Sequence, residues 1–156
     1  MNDIERLLAI EAIKQVKSRY FWALDHKDWD MWRRDVWAPD GRLEVPEADT
    51  VVEPLETVIE WVSGSVGDQV SVHHGHMPDI EFTSDTTAKV VWAMEDRLFR
   101  SPEYPLGGGG TWLHGFGHYH ETYVKLGVGW RIQSSRLTRL RVETASVIGT
   151  PGRPAS

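Results

Sequence analysis

Ile10, Ile13, Val16, Tyr20 and Leu24 recur at three- and four-residue steps, with Glu, Lys and Arg on the opposite side. That spacing predicts one amphipathic helix over about the first 25 residues. It breaks around Asp25-His26-Lys27, after which Asp28 is placed to cap a short second helix carrying Trp29, Trp32 and Val36 on one face. Pro39-Asp40-Gly41 reads as a turn, Arg42–Val45 as a short strand, and Glu53–Val62 as a third helix with Pro54 in its first turn. From Ser71 the pattern changes to alternation, which predicts strands over 71–82, 87–99, 112–126 and 129–142. Thr83–Thr86, the loop Ser101–Gly110 and Gly127-Val-Gly129 separate them, and a Pro/Gly-rich tail is expected at 149–156.

Helices first and a run of antiparallel strands after them is an α+β pattern. The expected architecture is a single domain over 1–148: a cone-shaped α+β barrel, its N-terminal helices packed on a strongly curved, mostly antiparallel sheet. Such a sheet closed by helices leaves a pocket where inward strand positions meet the helix ends.

Composition narrows the function. A formal charge of −6 argues against nucleic acid or an anionic membrane as partner, and the absence of Cys excludes disulfides, zinc-cysteine sites and thiol nucleophiles. The charged start MNDIERLLAIEAIK lacks the apolar core of a signal peptide, so a cytoplasmic protein is expected. Eight Trp residues suggest large flat apolar surfaces inside the fold or between subunits.

Three of the seven histidines fall in Ser71-Val-His-His-Gly-His-Met-Pro-Asp-Ile-Glu-Phe82. His74 and His76 share strand parity with Ile80 and Phe82, and His73 takes the other face unless a bulge intervenes near Gly75. Elsewhere parity groups Asp96 with Val90, Trp92, Met94 and Leu98, and Arg136 with Trp130, Ile132 and Ser134. His114, Phe116, His118 and His120 share one face of their strand, and Tyr119, Glu121 and Tyr123 the other. Two chemistries compete for the histidines: a general base paired with a distant carboxylate, or metal ligation by His74, His76 and Glu81 with His118 and His120. Long N-terminal helices fit a metal-binding cupin barrel poorly, so no metal is expected.

Arg-Tyr-Phe-Trp-Ala-Leu-Asp-His-Lys-Asp-Trp-Asp, then His-His-x-x-x-Pro-x-Ile-Glu, then Gly-His-Tyr-His-Glu-Thr-Tyr-Val-Lys and Gly-Trp-Arg-Ile, resemble in order and spacing the SnoaL-like branch of the nuclear-transport-factor-2-like superfamily. The likeness runs over about residues 3–143 and is strongest to the group of scytalone dehydratase, bile acid 7α-dehydratase and lindane dehydrochlorinase. Those enzymes use a histidine-aspartate pair in a cone-shaped pocket without metal or organic cofactor. Carried over by residue, the resemblance implies His73 and Asp25 as the dyad, Tyr20 as its neighbour, Arg136 as the basic residue of the last strand and Asp96 as the acid between. Met77 stands just before Pro78 where family members often carry Asn, which leaves the polar surroundings of the base open.

The chemistry is coherent. An elimination needs a base of near-neutral pKa, which imidazole supplies, and a carboxylate on its other nitrogen to fix the tautomer and stabilise the imidazolium. Asp25, at the C-terminal end of a helix, faces an unfavourable dipole and needs such a partner to stay ionised. Tyr20 can donate a hydrogen bond to a substrate oxygen, and Arg136 can stabilise an enolate or a departing hydroxyl. The expected function is a cofactor-independent lyase of the dehydratase type acting on a mostly apolar cyclic small molecule. Trp22, Trp32 and Trp92 are expected to wall the site, with Asp96, His74, His76 and His120 as further lining. An isomerase or polyketide-cyclase reaction on the same dyad is the alternative, and a non-catalytic ligand-binding or assembly module a third. Tyr119, Tyr123 and Leu137 on an apolar outer sheet face would make the protein a homo-oligomer, a dimer or trimer.

Overall fold

A computed structural model describes residues 1–67, 69–106 and 110–145. Helix α1 (Asp3–His26) begins at a reciprocal cap: Asn2 accepts from the Glu5 amide at 2.9 Å while Glu5 accepts from the Asn2 amide at 2.8 Å. It buries Ala9, Ile13, Val16, Tyr20, Ala23 and Leu24 and ends at Lys27. Asp28 then accepts from the Met31 amide at 2.9 Å and starts α2 (Trp29–Met31), which widens into a π-helical turn over Trp32–Val36. Strand β1 (Trp37–Val45), a 3₁₀ turn (Pro46–Ala48) and β2 (Thr50–Val52) lead to α3 (Leu55–Val66). Four long strands complete the described chain: β3 (Val70–Phe82), β4 (Thr87–Phe99), β5 (Trp112–Leu126) and β6 (Gly129–Ala145).

The six strands form one sheet in the order β2-β1-β6-β5-β4-β3, antiparallel throughout except where β1 runs parallel to β6. The expected α+β architecture is present, with α1 against β3 and β6 and α3 against β1. Trp32, Val36, Val58, Tyr123 and Ile132 are fully buried between helices and sheet. Each large apolar side chain taken out of water there contributes about 1.5–3 kcal/mol. Trp32 and Trp37 forfeit part of that gain, because their indole nitrogens are buried without a hydrogen-bond partner among the described residues.

Two local expectations change. Pro39-Asp40-Gly41 is not a turn but an irregular stretch within β1, where pairing with β6 shifts between Trp37 and Arg42. A Cβ at Gly41 would come within 2.9 Å of the Trp37 ring, so the strand folds back on its own first residue. The third helix runs on to Val66, and β2 is an added edge strand too short for alternation to reveal. The expected tail at 149–156 lies outside the described residues.

Register shifts decide which side chains face inward. Between Gly75 and Pro78, β3 carries one residue more than β4, so His73 and Ile80 both face inward. In β6, Gln133 is an extra residue opposite the Thr122–Tyr123 step, and Leu140 another opposite Phe116–Gly117. Trp130 and Ile132 therefore face the core, but beyond Gln133 the inward set becomes Ser135, Leu137 and Arg139.

Candidate active site

Asp25 sits on the last turn of α1, beside the first half of β3. Its carboxylate accepts from His73 Nδ1 at 2.6 Å and Ser71 Oγ at 2.9 Å on one oxygen, and from the His73 amide at 2.9 Å on the other. An ionised carboxylate only accepts, so Nδ1 is the donor, and in the neutral ring Nε2 keeps the lone pair. Nε2 has no hydrogen bond among the described residues. Burial raises the Asp25 carboxyl's proton affinity, but the bonds from His73 and Ser71 outweigh it and hold the group below its usual range.

His73 lines a cavity of about 350 Å³ between the sheet, the end of α1 and the side of α3. Tyr20, Trp61, Asp96, Tyr119, Leu137 and Arg139 share that lining. Asp96 is opposite His73 in the β3–β4 ladder and is 2% exposed. Arg139 reaches it from β6 with both terminal nitrogens, Nη1 to Oδ1 at 2.7 Å and Nη2 to Oδ2, and its Nε lies 3.2 Å from Glu47. The guanidinium crosses β5 at Gly115, where any Cβ would lie 1.7 Å from Arg139 Nη1 and 2.2 Å from Asp96 Oδ1. Burial alone would lower the Arg139 pKa, but Asp96 reverses that and raises it, so the guanidinium stays charged. Tyr20 is pushed strongly upward by burial and by the Glu121 charge, against a hydrogen bond from Tyr119, and Tyr119 is raised by burial as well. Both phenols are neutral donors at ordinary pH. Beneath them Lys17 is buried against Glu121 at 2.6 Å, its ammonium 3.6 Å from the centre of the Tyr119 ring and 4.0 Å from that of Tyr20.

A family model described as a SnoaL-like domain matches residues 5–136. The chain belongs to the SnoaL-like family. Solved structures agree with that fold. The Kfla4162 protein of Kribbella flavida superposes with a TM-score of 0.78 at 21% identity, covering 88% of this chain and 95% of that one. A type 2 hexachlorocyclohexane dehydrochlorinase, LinA, gives 0.80 at 15% identity over 97% of this chain and all 100% of its own. A scytalone dehydratase-like protein of Novosphingobium aromaticivorans gives 0.76 at 20% identity over 96% and 99%.

Of the positions carried over from SnoaL-like relatives, the structure brings together Tyr20, Asp25, His73 and Asp96 and leaves Arg136 out. Arg136 is on the outer face of the sheet, half-exposed and paired with Glu44 at 2.9 Å, because the extra residue Gln133 reverses the parity that grouped it with Trp130. The inward arginine is Arg139, three residues on. Trp22 is 59% exposed and stacks on His26, and Trp32 is core between Tyr20 and Trp37, so neither lines the cavity. Trp92 is buried on the inner face of β4 but outside the cavity lining. His74 and His76 point outward and are exposed, and His120 reaches Thr138 on the outer face at 3.1 Å, so none of the three reaches the cavity. Among the described residues no group of three or more His, Asp and Glu is arranged to hold a metal ion, so His74, His76 and Glu81 do not form a ligand set with His118 and His120. Tyr119, Tyr123 and Leu137, expected on an apolar outer face, all face inward. No described helix is long and apolar enough to cross a membrane. Ser71, Lys17 and Glu121 carry no motif; only the faces they share with His73, Tyr20 and Tyr119 point to them.

Proposed function

We propose that this SnoaL-like protein is a cofactor-independent lyase that eliminates a hydroxyl or comparable leaving group from a mostly apolar cyclic small molecule. The observation that carries the reading is the 2.6 Å His73–Asp25 pair, in which His73 lines a cavity with neutral phenols and a paired arginine and its second imidazole nitrogen has no hydrogen bond among the described residues. In this reading His73 Nε2 removes a proton from carbon, and Asp25 stabilises the imidazolium that forms. The Tyr20 hydroxyl and the Arg139 guanidinium are the donors available to oxygen as negative charge develops there. Arg139 takes the role first expected of Arg136. A cavity of about 350 Å³ is at the small end of the usual range for ligand sites, which favours a one- or two-ring substrate. The dehydrochlorinase and dehydratase likenesses support the lyase class and leave the substrate open.

The test is a panel of cyclic β-hydroxyketones and polyhalogenated cyclohexanes, followed by mass spectrometry and by proton exchange in deuterated water. Loss of water or hydrogen halide that H73A abolishes supports the lyase. A product of unchanged mass would assign the dyad to an isomerase or cyclase, and no turnover or exchange with any carbon acid would overturn the enzymatic reading. The protein is also proposed to self-associate through the outer sheet face, where Val91 and Phe116, opposite His120 and Glu95, are part-exposed. Sedimentation showing only monomer at micromolar concentration would exclude that.

A further inference from the structure

Lys27 leaves α1 at φ 60°, in the left-handed region that glycine normally fills at helix ends. A lysine there carries a backbone cost that glycine would avoid, and its side chain does not simply extend into water. Nζ donates to Ser71 Oγ at 2.7 Å and to the Leu24 carbonyl at 3.3 Å. Ser71 is buried, and its hydroxyl donates to Asp25 Oδ1, the same oxygen that accepts from His73 Nδ1. An ammonium can only donate, so it turns the single Ser71 proton toward the carboxylate. Ammonium, hydroxyl, carboxylate and imidazole form one continuous chain.

We propose that Lys27, acting through Ser71, is a positioning residue that keeps Asp25 ionised and turned toward His73 while limiting how tightly the imidazole holds a proton. The inference rests on the reading of His73 as the base. A cation at the far end of the chain draws carboxylate charge toward itself and leaves less for the imidazolium, so the ring is more often free to accept a proton. The other charged or titratable groups about the dyad are differently placed. Asp96, across the β3–β4 ladder, is balanced by Arg139, Tyr20 is neutral, and His26, His74 and His76 line the outer groove beside Asp25. Lys27 is the cation bonded into the chain itself.

The experiment follows the His73 ring resonance by NMR as pH is varied, with H73Q identifying the signal. In K27M and in K27G the midpoint of that titration should move upward by about half a pH unit or more. K27G also removes the backbone cost and so keeps the fold testable. Made on an S71A background, K27M should move the midpoint by less than half as much as it does alone. An unmoved midpoint in both single variants would make Lys27 a helix cap only. An equal shift with and without Ser71 would replace the relay by a through-space effect and overturn the proposal. The readout needs no substrate, so a protein that eliminated nothing would still show whether Lys27 acts on His73.

Discussion

On the concave face of the sheet Arg139 spans a neighbouring strand to grip Asp96, whereas three residues earlier on the same strand Arg136 meets Glu44 in water on the convex face. The pairs share their chemistry and differ in what holds them. Inside, removing one partner strands a buried charge, and the geometry requires Gly115 to have no side chain. Outside, solvent screens the pair and replaces either member. The histidines divide the same way: His73 is fixed by Asp25 at the cavity wall, while His74 and His76 stand exposed one and three residues on. Neighbouring positions of one strand thus carry unrelated duties, and only the face separates them.

The contrast can be broken most sharply at the histidines. On a substrate that the protein turns over, H73A should lower kcat by roughly 10²–10⁴, and D25N should match it without adding to it in the double variant. H74A and H76A should stay near wild type. Loss of activity in H74A with retention in H73A would reverse the assignment of faces.

Stability should divide next. R139M leaves Asp96 buried and unpaired, and G115A forces its methyl into the ion pair; each should cost about 3–5 kcal/mol in urea unfolding. R136M should cost under about 1 kcal/mol. G127A, where nothing lies within 4 Å of the added carbon, should stay within about 0.5 kcal/mol. Similar costs for R139M and R136M would mean that the inner pair is as well solvated as the outer one.

The smallest effect is acid sensitivity. The Asp25 carboxyl is held below its ordinary value in the folded protein, so its contribution is complete above the carboxylate range of about 4 and is lost as pH falls through the lower folded value. D25N should be less stable than wild type at neutral pH, and the gap should narrow below about pH 4. A gap independent of pH would show that the carboxylate's charge contributes nothing to folding.

How far the sequence is legible follows from where the ladder is regular. Helical spacing from Ile13 to Leu24 locates α1, and unbroken alternation from Ala88 to Asp96 puts Asp96 inside. Alternation fails where a strand carries an extra residue: parity from Ile80 counts His73 outward, and parity from Ile132 counts Arg136 inward. The resemblance to SnoaL-like proteins places His73 at the site despite its parity, because a motif keeps its spacing through a bulge. It does not correct Arg136, for which no motif residue beyond Gln133 sets the phase. Trp32 is indistinguishable in sequence from a cavity wall because an aromatic on an apolar stripe packs equally well against a ring of the core or a ligand. Lys27 and Ser71 stay hidden because their meeting depends on a left-handed residue and on contact between chain segments 44 residues apart.

The bulge in β3 has a consequence for how this strand can change. Its extra residue falls at His76-Met77, and Met77 is 92% exposed. Deleting Met77 would restore a regular ladder and leave both flanking halves in their present phase, with Ser71 and His73 still inward on one side and Ile80 and Phe82 on the other. The bulge is therefore a joint between two modules of a single strand, one carrying the Ser71 and His73 contacts to Asp25 and the other carrying packing. A one-residue length change at this point leaves the pairing of both halves with β4 intact. A Met77 deletion that still folds and retains the His73–Asp25 contact would identify the joint as a place where the lineage can gain or lose a residue without rebuilding its interior.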